Sequence, residues 1–338
     1  MHRNAGRFKA ALDQGGFDGV GRRAEQAPAG RSVHDTFILS RRGGSLCTRR
    51  AAARGFRAGV RRTVRHKGGR RLPDVLERRR FKLVALDIDD TLVGRDQTIA
   101  PGDLAAIRRC IEAGVEVVLA TGRTRPTTRP IAEQIGYDVA TICNTGAITY
   151  DARGGVLRRL TVPFDLAREM LAEMRKDDIP VRVDAAGRFL FSHKPLLTPP
   201  GLEGEIVPDV AERLPSAPDQ IIVFGRQESE WVIRRFSYLE GEVQLLVLPS
   251  HDEPYVVHIL HPRATKGAAL AEYCRLRGIE RRETIAFGDS LNDFSLLSYA
   301  GLGVAVADSE PRLRLVADKV MEPHETLADV LEMFVLNG

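Results

Sequence analysis

Short apolar runs, each closed by a cluster of polar or small residues, recur along the chain from Phe81 onward. The first, Phe81-Lys82-Leu83-Val84-Ala85-Leu86, ends in Asp87-Ile88-Asp89-Asp90-Thr91. A run of that length bounded by polar residues predicts a buried strand. Asp103 then offers an N-cap, Leu104, Ile107 and Ile111 recur at helical spacing, and Gly114 stops the helix. Residues 115–120 predict a second strand, ending at Thr121-Gly122-Arg123. Pro126 and Pro130 bracket the entry to a helix over 128–135, and residues 139–143 predict a third strand, ending at Asn144-Thr145-Gly146-Ala147. Strand, helix, strand with short connections is a βαβ unit, which implies parallel pairing and a right-handed crossover.

From about Leu157 the rhythm changes. A helix is predicted over 164–176, with strands near 181–183 and 189–191. Residues 194–219 are rich in Pro and Gly and read as loop with one short element. A strand at 221–224, a helix at 228–238 and strands near 243–248 and 255–260 follow. Lys266-Gly267 opens a helix to Arg277, with Ala269, Leu270, Tyr273 and Leu276 on its buried stripe. Residues 284–287 predict a strand ending at Gly288-Asp289-Ser290-Leu291-Asn292-Asp293, then come a helix over 294–299, a strand over 303–306 and closing helices near 311–316 and 326–335. The expected fold is therefore α/β: a doubly wound, mainly parallel sheet built from 81–160 and 263–338, interrupted by an α+β domain over 161–262.

Charge divides the chain at a different point. The net charge is +5, but residues 1–80 carry 21 Lys and Arg against 6 Asp and Glu, whereas the remainder carries 29 against 39. The basic segment has no sustained period and too few large apolar residues to offset the entropy of ordering, so disorder is expected there. Its clustered arginines suit a nucleic-acid-binding arm. A targeting peptide fits less well, since Asp13 and Asp18 interrupt it and no apolar signal run is present. The blandest reading is an extension without function, translated from an upstream start; the next methionine after Met1 is Met170. No apolar run approaches the ~18–20 residues that span a bilayer. Cys47, Cys110, Cys143 and Cys274 form no CxxC pair, which argues against a zinc knuckle or a disulfide framework and suits reduced thiols in a cytoplasmic protein.

The polar clusters share one position in the expected topology. In an open parallel sheet, ligands gather beyond the carboxyl ends of the strands. Asp87 and Asp89 lie two apart on an extended chain, so both can serve one site. Adjacent anions repel unless a cation is present or a proton is shared. Asp289, Asn292 and Asp293 follow a later strand and complete an oxygen-ligand set suited to Mg2+. Thr121, with Gly122, and Lys266 describe an oxyanion cradle. The alternatives are an acidic strand end for Asp87 and Asp89, a turn cap for Thr121, a solvated helix-start lysine for Lys266, and helix capping for Asn292 and Asp293.

These motifs resemble the haloacid dehalogenase superfamily, in particular its Cof-type phosphatases with a large C2 (IIB-like) cap inserted between the second and third motifs. The first motif is Asp87-Ile88-Asp89-Asp90-Thr91, the second Thr121 in Leu-Ala-Thr-Gly-Arg, the third Lys266 in Thr-Lys-Gly, and the fourth Gly288-Asp289-Ser290-Leu291-Asn292-Asp293. Asp90 stands where the family often has Gly, and Asn144-Thr145-Gly146-Ala147 where Asn-Gly-Ala is common. The resemblance implies that Asp87 attacks phosphorus and that Asp89 serves as acid and then base. It implies Mg2+ held by the Asp87 carboxylate, the Asp89 backbone carbonyl and Asp289, with Asn292 and Asp293 joining or orienting that shell. Thr121, Gly122 and Lys266 would hold the phosphoryl group, with Asn144 and Arg123 as further substrate contacts.

The function expected on this basis is Mg2+-dependent hydrolysis of a small phosphorylated metabolite, with no membrane partner and nucleic acid only through residues 1–80. The rival readings are a phosphotransferase or mutase on the same scaffold, and a nucleic-acid-binding protein led by the basic arm. The spacing of His251, His258 and His261 suits no metal motif, which leaves them structural or solvated. Arg125, beside Arg123, would steer anions or lie at the surface. Arg182 and Arg188 would meet a distal substrate group or face solvent, and Trp231 fills the core of the inserted domain. Oligomeric state and substrate identity are not legible.

Overall fold

The computed structural model describes residues 81–195, 202–248 and 255–337. The expected disorder of residues 1–80, part of the 194–219 loop, Cys47 and His251 lie outside the described residues.

Two sheets organise the described chain. The larger is built from β1 (Leu83–Leu86), β2 (Glu116–Ala120), β3 (Ala140–Cys143), β4 (Ile148–Tyr150) and β5 (Val156–Arg159), and from β12 (Thr284–Gly288), β13 (Leu302–Ala305) and β14 (Lys319–Val320). Its order is β14-β13-β12-β1-β2-β3-β4-β5. The pairs from β14 to β3 are parallel, and β4 and β5 add an antiparallel edge. Between the two blocks of this sheet lie β6 (Val181–Ala185), β7 (Arg188–Phe191), β8 (Glu205–Ile206), β9 (Gln220–Phe224), β10 (Gln244–Leu248) and β11 (Val256–Leu260). They form a second sheet in the order β10-β11-β9-β6-β7-β8. The fold is thus α/β with an inserted α+β domain, as the sequence predicts.

The helices are α1 (Pro101–Glu112), α2 (Arg125–Ile135), α3 (Phe164–Lys176), α4 (Val210–Arg213), α5 (Arg226–Phe236), α6 (Lys266–Arg277), α7 (Phe294–Tyr299), α8 (Pro311–Arg314) and α9 (Leu327–Leu331). β1 shows why the larger sheet is wound on both faces. Val84 and Leu86 join a core with Ile107 and Cys110 of α1, Ile131 of α2 and Val330 of α9. Leu83 and Ala85 join another with Leu270 and Tyr273 of α6 and Leu297 of α7. Each fully buried Leu or Ile contributes about 1.5–3 kcal/mol through removal from water.

The inserted sheet carries its helices on one face. Val183, Ile221, Val223, Val257 and Ile259 pack with Met170 and Met174 of α3 and Val232 and Phe236 of α5. Trp231 lies against this core, with its ring 5.6 Å from that of Phe236. The opposite face carries Arg182, Gln220, His258 and Leu246. Leu246 and Leu260 of that face meet Ala147 and Ile148 of the larger sheet.

Three local expectations change. Pro101 rather than Asp103 starts α1, and Asp103 instead accepts from the backbone N–H of Ala328 at 2.8 Å, in the first turn of α9, whose cap is Thr326. Leu276 of α6 is exposed and Cys274 takes the buried position. No element is expected over 148–156, where the β4–β5 hairpin forms; its turn closes through Gly155 N–H to Asp151 Oδ1 at 2.7 Å.

Candidate active site

Four separated segments end at one edge of the larger sheet. β1 delivers Asp87, whose backbone N–H continues the ladder to Phe287 O at 3.1 Å. β2 delivers Thr121, whose N–H reaches Ile142 O at 2.8 Å. β12 delivers Asp289 and the 291–293 turn, while Lys266 is the first residue of α6. Thr265 caps that helix by accepting from Ala268 N–H at 3.2 Å, and Gly278 closes it in the left-handed conformation. Glycine is required at 288: a β-carbon there would stand 2.5 Å from Asp293 Cβ.

The side chains meet in a buried acid cluster. Lys266 Nζ donates to Asp87 Oδ1 and to Asp293 Oδ1, both at 2.6 Å, and to Asn292 Oδ1 at 3.4 Å. Carboxylate oxygens of Asp87, Asp289 and Asp293 all lie within 4.8 Å of one another. Thr91 donates to Asp289 Oδ1 at 3.3 Å. Asp293 Oδ2 accepts from the backbone N–H groups of Asp289 and Ser290, and Ser290 Oγ donates to Asn292 Oδ1 at 2.7 Å. Asp293 therefore both caps the turn and faces the site, while Asn292 links Ser290 to Lys266.

Charge is unbalanced here. Burial pushes the Asp87 carboxyl well above its ordinary range and the Asp293 charge adds to this, against the pull of Lys266. Burial, again helped by Asp293, pushes Asp289 up to about 6. Burial alone would pull the Lys266 ammonium down, but Asp293 and Asp87 together outweigh it and hold the group charged. One ammonium thus faces three carboxylates. A hard cation fits this donor set, because it supplies the missing positive charge and takes oxygen ligands.

Asp89 behaves differently. Its carboxylate points outward, half exposed, and is gripped by the Arg123 guanidinium, with Nε at 2.9 Å from Oδ2. Arg123 also donates to Gln97 Oε1 and to Thr127 O. The turn after β2 and the loop after β3 are zipped together: Asn144 N–H donates to Arg123 O at 2.8 Å and Thr145 N–H to Thr121 O at 3.1 Å. Thr121 Oγ1 accepts from Arg123 N–H at 3.0 Å, which leaves its own proton free to donate. Asn144 and Gly122 line the same loops, and Asn144 is buried.

The other sequence candidates lie elsewhere. Arg125 stacks over the Tyr150 ring at 4.4 Å and donates to Gly154 O. Arg182 forks onto Asp184, and Arg188 pairs with exposed Glu205. His261 accepts from Arg263 N–H, and His258 is buried in the inserted sheet. Sequence reasoning missed the Arg123–Asp89 pair and the burial of Thr145; neither has a local signature.

The haloacid dehalogenase-like hydrolase family model matches residues 84–333. The chain belongs to this family. A "HMP-PP phosphatase" of Serratia proteamaculans is 28% identical over 238 residues, covering 69% of this chain and 86% of that protein. A "Phosphoglycolate phosphatase" of Methanoculleus marisnigri is 30% identical over 248 residues, covering 72% and 91%. Among solved structures, a subclass IIB sugar phosphatase of this superfamily superposes with a TM-score of 0.63 at 21% identity, over 75% of this chain and 98% of that one. At that identity the likeness concerns the fold, including the inserted domain.

Proposed function

We propose that this haloacid dehalogenase-like hydrolase is a Mg2+-dependent phosphatase that releases phosphate from a small phosphorylated metabolite through an aspartyl-phosphate on Asp87. The observation that carries the reading is the convergence at one sheet edge, beside Thr121, of Lys266 bonded to Asp87 and Asp293, with carboxylate oxygens of Asp87, Asp289 and Asp293 within 4.8 Å of one another. The relatives named for different phosphate esters support the reaction type and leave the substrate open.

A carboxylate of Asp87 would bond to phosphorus while the ester oxygen leaves with a proton from Asp89. Asp89, then ionised, would take a proton from the water that attacks the aspartyl-phosphate, which restores Asp87 and frees phosphate. Arg123 orients Asp89 by holding both of its oxygens. Lys266 pulls Asp87 toward its anion, against the burial and the Asp293 charge that push the carboxyl up, and, with Thr121, would offer donors to the phosphoryl oxygens, where transition-state charge gathers. Mg2+ would be held by Asp87, Asp289 and the Asp89 backbone carbonyl, with Asp293 and Asn292 joining or orienting its shell, and would supply charge stabilisation for those oxygens. The inserted domain would act as a cap that excludes water and selects the ester.

Purified protein incubated with Mg2+ and a panel of phosphate monoesters should release inorganic phosphate from at least one, and Asp87→Asn should abolish the release. Full activity in that variant would overturn the assignment.

A further inference from the structure

Thr145 is buried at the cradle and has no task in the reaction above. It occupies the middle of three consecutive left-handed residues, with φ of +50° at Asn144, +55° at Thr145 and +95° at Gly146. That backbone is uncommon for any residue but glycine and is an outlier for a β-branched one. The loop is clamped from both sides. In front, Thr145 N–H binds Thr121 O; behind, Gly146 presses on the start of α6, where a β-carbon would stand 2.3 Å from Thr265 O.

The side chain is only 2% exposed, and its Oγ1 has no hydrogen-bond partner among the described residues. Buried hydroxyls are nearly always paired, so this orphan calls for a partner from outside the chain. Its surroundings say which one. A β-carbon built on Gly122 would lie 3.6 Å from Thr145 Oγ1 and 3.9 Å from Asn292 Nδ2. The hydroxyl, the amide of Asn292 and the Thr121–Gly122 turn therefore border one space.

We infer that Thr145 is a second hydroxyl of the phosphate cradle, donating from Oγ1 to a non-bridging oxygen of the bound phosphoryl group. The ligand class is a tetrahedral phosphate, either the phosphoryl of an ester or the free product. The inference rests on the proposed function for the choice of this sheet edge as the phosphoryl site.

Binding of inorganic phosphate to the full chain in Mg2+, read by calorimetry, tests it without turnover. Thr145→Val keeps the shape and removes the donor, so phosphate affinity should fall about tenfold or more, the usual loss for a hydrogen bond to a charged group. Thr145→Ser should stay close to wild type. Thr145→Gly relaxes the left-handed backbone and guards against a valine variant that does not fold; it should melt higher than wild type yet bind phosphate as weakly as the valine form. A purely structural threonine would give valine and glycine variants with wild-type phosphate affinity, and that result overturns the inference. Wild type that binds phosphate through Thr145 but hydrolyses no ester would sink the proposed reaction alone. Active wild type with phosphate binding indifferent to residue 145 would sink this inference alone.

Discussion

Arg123 closes on Asp89 side-on, with Nε 2.9 Å from Oδ2 and 3.2 Å from Oδ1 and a further contact from Nη2 to Oδ1. A lysine cannot reproduce that fork. Arg123→Lys is therefore expected to lower kcat about tenfold by loosening the proposed acid–base group, a barrier increase near 1.4 kcal/mol. The pair is half exposed on the Asp89 side, so the melting temperature should barely move. Steady-state kinetics and a thermal melt check the two halves.

If Asp87 is the nucleophile as proposed, Asp87→Asn should lower turnover by roughly 10⁴-fold or more. Without added metal, the same variant should be at least as stable as wild type, since it deletes one of three crowded carboxylates while Asp293 still pairs Lys266. Chemical denaturation in EDTA measures this; a large loss of stability would mean that the Lys266–Asp87 pair holds the fold together.

Added Mg2+ should raise the melting temperature of wild type, because an ion that binds the folded cluster stabilises it by mass action, about 2.7 kcal/mol at a hundred times Kd. Asp289→Asn should abolish most of that rise. EDTA should stop phosphate release, and added Mg2+ should restore it.

His258 supplies a pH dependence away from the reacting groups. Burial, aided by neighbouring Arg182, pulls its pKa down to about 3 from an ordinary value of 6.5. The unfolded chain then binds a proton that the folded chain refuses, so the His258 contribution is intact above pH 6.5 and is lost as pH falls toward 3. Between pH 8 and pH 5 wild type should lose about 2 kcal/mol more stability than His258→Leu. Urea unfolding of both proteins at the two pH values gives the difference directly.

Much of this was legible in the sequence because burial leaves a mark on composition. Leu83–Leu86 is apolar at every position since both faces of β1 are covered. The acids and Thr121 stand out because they interrupt such runs. The β4–β5 hairpin left no such mark: it is short, lies at the sheet edge, and carries Arg158 and Arg159 in its second strand. Asp90 looked like a departure from a family glycine; its φ of +57° shows why glycine suits the position and why aspartate, which tolerates left-handed backbone, can replace it. Contacts such as Arg123 with Asp89, or Thr145 with the turn at Gly122, join residues far apart in the chain and follow only from the folded topology.

Arg158 and Arg159 are neighbours in β5 that reach in opposite directions. Arg159 forks onto Asp219, next to the inserted sheet. Arg158 is buried, pairs with Glu272 of α6 and donates to Gly146 O and Arg263 O. One guanidinium therefore fastens the returning chain to the loop that carries Thr145. Replacing Arg158 would therefore loosen the 144–146 loop and the turn before α6 together, without touching Thr145 itself.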